Sequence, residues 1–288
     1  MTGPAAMPGV SGAAQLAGVA GDPVAHSLSP RLMAHWIAAA GLDALYSPFA
    51  VDPAGFEIFV RGLACSQAAG INVTLPHKQA ALALADTASA AATAIGAANL
   101  LTFRNGRIHA DNTDAAGFLA ALEPAKIDYT QTCALVLGAG GAARALIHAL
   151  LTSGVSRLIL TNRTRDRAEA LAAELAPQAR IVDWDARDAA LSEAGLVVNA
   201  TALGLKGVND LVMDWSLARP GSVVFDSVYT PLLTGFLAGA RKAGLIAIDG
   251  LDMLIGQARP SFRAFFGIEA PAEPAVRPVL EALLRPGR

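Results

Sequence analysis

The chain has 288 residues, of which 53% are hydrophobic and 16% charged, with a formal net charge of −2. That length suits two domains, and that composition suits a compact α/β protein with a large core rather than a disordered chain. The charge balance leaves no basic surplus for nucleic acid, and Asp, Arg, His or Pro interrupts each apolar stretch before it reaches the length of a membrane span.

Residues 1–15, rich in Ala, Gly and Pro, read as a flexible tail without the basic start and continuous apolar stretch of a signal peptide. A first α/β unit follows over 16–113. Its expected elements are a strand at 16–20, a helix at 30–40, a weaker strand at 45–51, a helix at 54–63, a short strand at 71–73 and an Ala-rich helix at 78–85. Two strands at 98–103 and 108–110, separated by Asn105-Gly106, predict a hairpin. Cys65 and Cys133 stand in apolar surroundings without a CxxC pair, which predicts buried thiols and a reducing cytoplasm. The five histidines form no metal-ligand cluster.

A second unit is expected over 114–250. Residues 133–137 form a continuous apolar strand, and Ala143, Leu146, Ile147 and Leu150 then recur at helical spacing until Gly154. Further apolar runs at 158–160, 196–198, 223–225 and 245–248, several separated by helical patterns, predict a parallel, doubly wound sheet. The last segment, 251–288, reads as helices.

Between the strand at 133–137 and its helix lies Gly138-Ala139-Gly140-Gly141-Ala142-Ala143, a G-x-G-x-x-A turn. The first Gly permits the tight turn, the second lets backbone approach a pyrophosphate, and the small third residue lets helix and strand pack closely. The helix N-terminus then offers N–H groups and the positive end of its dipole to phosphate. An ordinary tight turn is the bland alternative, but the strand before and helix after favour a dinucleotide. The tip of the next strand carries Asn162-Arg163-Thr164, followed by Arg165 and Arg167, where NAD-binding folds usually carry Asp or Glu. Arginines at a helix start oppose its dipole, so they read either as a solvated face or as the holder of an anion, the 2′-phosphate of NADP.

The first unit carries His26-Ser27-Leu28-Ser29-Pro30, Asn72-Val73-Thr74-Leu75-Pro76-His77-Lys78, Gly96-Ala97-Ala98-Asn99 and Asp111-Asn112-Thr113-Asp114. Taken singly, each has a plain reading: Ser29 as a helix cap followed by Pro30, Lys78 as a surface lysine, Asp114 as a cap. Together with the glycine turn, Asn162-Arg163-Thr164, Asn199-Ala200-Thr201 and Met253-Leu254-x-x-Gln257, they resemble the shikimate dehydrogenase family in order and interval over about residues 19–267.

The resemblance implies a substrate domain, an NADP-binding Rossmann domain with a catalytic cleft between them, and C-terminal helices packing back on the substrate domain. It implies reversible NADPH-linked reduction of 3-dehydroshikimate to shikimate, in the chorismate pathway of aromatic amino acid biosynthesis. It assigns Ser27 and Ser29 to the substrate carboxylate, with Tyr229 helping there, and Thr74, Asn99, Asp114 and Gln257 to the ring hydroxyls. Lys78 and Asp114 form the catalytic pair. Gly138, Ala139, Gly140, Gly141 and Ala142 take the pyrophosphate, Asn162, Arg163, Thr164 and Arg167 the adenosine 2′-phosphate, and Thr201, Ser227 and Gly250 the nicotinamide side. The expected partners are small molecules, with no nucleic acid, membrane or metal, in a cytoplasmic monomer or homodimer. Leu100, Gly235 and Asp252 depart from the family's usual Thr, Pro and Gly. An NAD-linked quinate/shikimate dehydrogenase and a non-catalytic dinucleotide-binding regulator are the alternatives. The arginines speak against the first, and Lys78 with Asp114 against the second.

Overall fold

The computed structural model describes residues 10–285. Part of the expected tail lies outside them; within them, Ser11 N donates to the Asp43 carboxylate and Gln15 already begins the first strand. The chain divides into two compact units, Met1–Thr113 with Ala258–Arg288, and Asp114–Gln257.

The first unit runs β1 (Gln15–Gly21), α1 (Ser29–Ala39), β2 (Ala44–Ala50), α2 (Phe56–Ala64), β3 (Ala68–Val73), α3 (Lys78–Leu84), β4 (Thr87–Ala88), α4 (Ala90–Ile95), β5 (Leu100–Arg104) and β6 (Arg107–Asp111). The sheet order is β2-β1-β3-β5-β6-β4. β2 and β3 flank β1 in parallel, while β5 pairs antiparallel with both β3 and β6. The weak strand signal at β2 has a cause: Pro48 lies within it, and proline is tolerated because the strand sits at the sheet edge. The β5–β6 hairpin turns on Asn105 (φ 53°) and Gly106 (φ 74°), the conformation that fits the twist of the strands. Ala20, Phe56, Val60, Ile71, Leu101 and Ile108 belong to one buried cluster. Two small elements, β4 and α4, go beyond the expected ones; α4 lies in an Ala-rich stretch without a clear apolar face, and its signals are its ends, Ser89 capping Ala92 N (3.0 Å) and Gly96 (φ 71°) closing it. Cys65 corrects the expectation of two buried thiols: it caps the C-terminus of α2 and is exposed, whereas Cys133 is buried.

The second unit runs α5 (Asp114–Leu122), β7 (Cys133–Leu137), α6 (Gly141–Thr152), β8 (Arg157–Thr161), α7 (Arg165–Leu175), β9 (Arg180–Ile181), β10 (Leu196–Asn199), β11 (Val223–Asp226), α8 (Gly235–Lys242), β12 (Ile246–Ile248) and the start of α9 (Leu251–Phe266). Its sheet is parallel throughout, in the order β12-β11-β10-β7-β8-β9. Chain order therefore reverses between β7 and β10, the topological switch at which doubly wound folds open a ligand crevice. β7 and β10 are buried at every residue, as central strands covered on both faces must be.

The rest of α9 and α10 (Arg277–Leu284) belong to the first unit. There Phe262 meets Trp36 edge-on with centroids 5.7 Å apart, and Phe265 lies 6.2 Å from Tyr46. Among the described residues no helix is long and apolar enough to cross a membrane.

Candidate active site

In the first unit the candidates gather at the C-terminal ends of the parallel strands. Chain leaving β1 and chain leaving β3 run side by side there: Thr74 N donates to Ala20 O (2.9 Å) and Asp22 N to Leu75 O (2.9 Å). Lys78 opens α3, and its carbonyl accepts from Ala98 N at 2.8 Å, which places it beside Asn99. Asn99 is buried, its carbonyl accepting from Val73 N (2.8 Å). Its amide is also occupied, with Nδ2 donating to Thr113 Oγ1 (3.0 Å) and Oδ1 accepting from Thr113 N (2.8 Å). Asp114 follows Thr113 directly and is itself buried.

Beneath these lies a residue that the motif contains but to which the reading assigned no role. Asn72 Oδ1 accepts from Tyr46 Oη (2.8 Å), and its Nδ2 donates to Asn99 O (3.1 Å) and Ser261 Oγ (2.8 Å). Burial pushes the Tyr46 phenol well above its ordinary range, so it stays a neutral donor. Tyr46 lies in an apolar strand and Ser261 in a helix far along the chain, so neither carries a local signal. Ser27 and Ser29 lie in the chain leading into α1. Ser29 does not cap that helix: it is the first helical residue, and Ser27 Oγ accepts from Ser29 N (3.2 Å). The capping reading is thereby corrected, since the cap position falls to Leu28.

In the second unit the glycine turn sits at the switch. Gly138 has φ +113°, and a Cβ there would come within 2.9 Å of Thr201 Cγ2 and 3.0 Å of Ala200 O. No other residue fits that turn without displacing the loop after β10. A Cβ at Gly140, just before α6, would meet nothing within 4 Å. The first turn of α6, whose N–H groups have no intrahelical acceptor, therefore begins at open space suited to a phosphate. Gly138 N donates to Thr161 O (2.8 Å), joining the turn to the tip of β8.

At that tip Asn162 Nδ2 holds Thr164 O (2.8 Å), and Arg163 and Arg167 are exposed. The third arginine behaves differently. Arg165 is bound by Glu169 (2.6 Å) and Asp183 (2.6 Å), so its charge is met within the protein. A cleft of about 240 Å³ opens beside the tip, lined by Asn162, Arg163, Trp184, Thr201, Leu203 and Val208.

The remaining candidates of this unit lie on the other side of the switch. Thr201 follows β10, while Ser227 and the half-buried Tyr229 follow β11. Gly250 precedes α9, and its N–H donates to Val228 O (3.3 Å). Helices α5 and α9 touch closely: a Cβ at Gly117 would lie 2.7 Å from Gln257 Cβ. That contact sets Gln257 one helical turn along α5 from Asp114. Sequence reading assigned nothing to Asp226 or Thr234, which are buried between these loops. Among the described residues no group of His, Cys, Asp and Glu is arranged to hold a metal.

Three stretches of the chain match described families. Residues 19–101 match the shikimate dehydrogenase substrate binding domain, 121–214 shikimate/quinate 5-dehydrogenase, and 250–283 the shikimate 5′-dehydrogenase C-terminal domain. The chain is 58% identical over 267 residues to the shikimate dehydrogenase (NADP(+)) of Maricaulis maris, covering 93% of this chain and 95% of that one. It superposes with a TM-score of 0.81 and 38% identity on the shikimate 5-dehydrogenase of Thermus thermophilus in complex with NADP(H) and shikimate, covering 89% of this chain and 95% of that one. The quinate dehydrogenase of Corynebacterium glutamicum in complex with NAD gives a TM-score of 0.83 at 30% identity, covering 90% and 95%.

Proposed function

The chain belongs to the shikimate dehydrogenase family, and from that premise we propose that it catalyses the reversible NADPH-linked reduction of 3-dehydroshikimate to shikimate in aromatic amino acid biosynthesis. The observation that carries the cofactor half of this reading is the switch-point turn. It combines a glycine that a side chain would block, a helix N-terminus at open space, and exposed Arg163 and Arg167 at the neighbouring tip with no carboxylate on the tip itself. These residues fit NADP: Gly138 to Ala142 would hold the pyrophosphate, and Asn162, Arg163, Thr164 and Arg167 the 2′-phosphate. An acid at the tip would repel that phosphate, whereas a guanidinium fork donates two hydrogen bonds to it.

When bound, NADPH supplies the hydride. Reduction of the ketone leaves negative charge growing on the substrate oxygen, and a proton must reach it. Lys78 Nζ donates that proton and, in the reverse direction, accepts it. The Asp114 carboxylate accepts a hydrogen bond from a ring hydroxyl and holds Lys78 in place. Ser27 and Ser29 donate to the substrate carboxylate, with Tyr229 assisting. Thr74, Asn99 and Gln257 bind ring hydroxyls. The working protein is read as a cytoplasmic monomer or homodimer.

A steady-state assay at the nicotinamide absorbance band tests the proposal, with shikimate and quinate each run against NADP and NAD. The highest kcat/KM is expected for shikimate with NADP. Equal use of both cofactors, or preference for quinate with NAD, would replace this reading with the NAD-linked quinate/shikimate alternative. No turnover with any pair would bring the non-catalytic regulator forward.

A further inference from the structure

Asn199 ends β10 and Asp226 ends β11, and the two stand directly opposite each other in the ladder. Both are fully buried. Asp226 Oδ1 accepts from Asn199 Nδ2 (2.9 Å) and from Val228 N (3.0 Å), and Oδ2 accepts from Thr234 Oγ1 (2.7 Å). Among the described residues no Lys or Arg pairs with it. A carboxylate buried without a cation is expensive unless hydrogen bonds satisfy it, and here three donors converge on one acceptor-only group.

What hangs from those donors is specific. Asn199 Oδ1 accepts from both Thr201 N (3.0 Å) and Thr201 Oγ1 (2.7 Å). Thr201 Oγ1 in turn accepts from Leu203 N (3.0 Å), and the Thr201 methyl closes against Gly138. Ser227 N donates to Asn199 O (3.0 Å), and the Val228 carbonyl accepts from Gly250 N. Thr201, Ser227 and Gly250 are the segments assigned to the nicotinamide side, and all three lead back to Asp226 in at most two steps.

We propose that Asp226 is a positioning residue for the cofactor's nicotinamide end, acting through the Asn199 amide and the Val228 N–H to fix the loops after β10 and β11 and before α9. This rests on the NADP reading above and deepens it. The carboxylate touches no reacting atom. It sets where Thr201, Ser227 and Gly250 stand, and so where a nicotinamide ring can lie. The adenosine end is held elsewhere, by the glycine turn and the β8 tip, so the two ends of one cofactor separate experimentally.

The test uses Asp226→Ala, Asp226→Asn and Asn199→Ala in the full chain. Each is assayed for kcat and KM with shikimate and NADP, and for inhibition by adenosine 2′,5′-bisphosphate, which carries the adenosine and 2′-phosphate but no nicotinamide. Misplacing a reacting group by about 1 Å can cost roughly a hundredfold, so Asp226→Ala should lower kcat by about tenfold or more. Its inhibition constant for the bisphosphate should stay within about twofold, since that ligand makes no nicotinamide contact. Asp226→Asn keeps the oxygen facing Asn199 and Val228, while its new amide can donate to Thr234, so kcat should recover to within a few-fold of the original. Asn199→Ala should lower kcat in the same direction, and the double variant should lose less than the sum of the two single losses, because the Asn199 path is common to both. Unchanged kcat in Asp226→Ala would overturn the proposal. So would a parallel loss of bisphosphate binding, failure of Asp226→Asn to rescue, or additive losses in the double variant. If the unmodified protein neither turns over NADP nor binds the bisphosphate, the functional reading itself fails and takes this inference with it.

Discussion

Each unit hides a polar knot beneath the ends of its parallel strands, and the two knots are built differently. In the first, Tyr46, Asn72, Asn99, Thr113 and Ser261 join through amides and hydroxyls. In the second, Asn199, Thr234 and the backbone of Val228 gather round the carboxylate of Asp226. Both solve the same problem. Many residues assigned to chemistry sit on loops or at the helix starts that loops lead into, and these are precise only when something buried holds them. The first knot does this with neutral amide and hydroxyl groups. The carboxylate gathers three donors on one group, but burial penalises its charged form, which makes that knot sensitive to pH.

The largest expected effect separates the neutral knot from the chemistry it supports. Lys78 is tied in through its carbonyl, so its side chain can be removed without losing that hydrogen bond. Lys78→Ala should lower kcat by roughly a hundredfold or more while leaving substrate binding largely intact. Near-normal kcat in this variant would remove Lys78 from the proton step. A matching collapse in melting temperature would mean that the side chain serves the fold instead.

The next effect tests the charge in the second knot. Burial, first of all, raises the Asp226 carboxyl to about 6, with the negative Asp249 adding to the rise and hydrogen bonds from Thr234, Val228 and Asn199 opposing it. A folded-state pKa above the unfolded one means that the native protein binds the proton more tightly. The stability this brings is complete below the unfolded value, near 4, and is lost as pH rises to about 6. Asp226→Asn has no such proton. Relative to that variant, the unmodified protein should therefore lose about 2–3 kcal/mol of unfolding free energy between pH 4 and pH 7. Urea unfolding of both proteins across that range measures it. Parallel pH curves would show that Asp226 does not titrate there.

The two knots were also unequally visible in the sequence. The parallel sheet of the second unit was legible because apolar runs, a glycine turn and helical spacing agree over a long stretch. Asn162 and Arg163 could be singled out because their position fixes what an acid or a base there would do to a phosphate. The first unit's polar residues were ambiguous one at a time, and only their order along the chain pointed to chemistry. Asp226 went unnoticed because an acid at the end of an apolar run normally reads as the point where the chain meets water. Tyr46 and Ser261 act through partners 26 and 189 residues away, a link that no local pattern carries. Cys65 misled for the opposite reason: its neighbours are apolar, but it closes a helix at the surface.

A smaller effect concerns the exposed part of the second unit, where the proposed specificity rests on charge rather than burial. Arg163 is exposed, so solvent screens its contribution. Arg163→Ala should lower kcat/KM for NADP by about tenfold, with little change for NAD, because only NADP carries the 2′-phosphate. The preference should shrink as salt rises. An equal loss with both cofactors would show that Arg163 serves the loop rather than the phosphate.

The smallest effect returns to the neutral knot and asks whether it is as indifferent to pH as its chemistry implies. Tyr46→Phe removes the donor to Asn72 Oδ1 and leaves that buried oxygen unpaired. Such a loss costs about 1–3 kcal/mol in general, and Asn72 keeps its two amide-hydrogen contacts, so about 1 kcal/mol is expected here. The sign with pH follows from the phenol. Its folded pKa is raised by burial well above the ordinary 10.0, so any linked stability is complete below that value and is lost only as pH rises beyond it. From about pH 5 to 9 the phenol is neutral in both states, and the cost of Tyr46→Phe should be constant across that window. Urea midpoints at three pH values, with unchanged slopes, check this. Over the acid part of the same window Asp226→Asn should change its standing against the unmodified protein steadily, so the two substitutions form a matched pair. A Tyr46→Phe cost that drifted with pH would mean that an ionisable group is coupled to the first knot after all, and the contrast between the two units would fail.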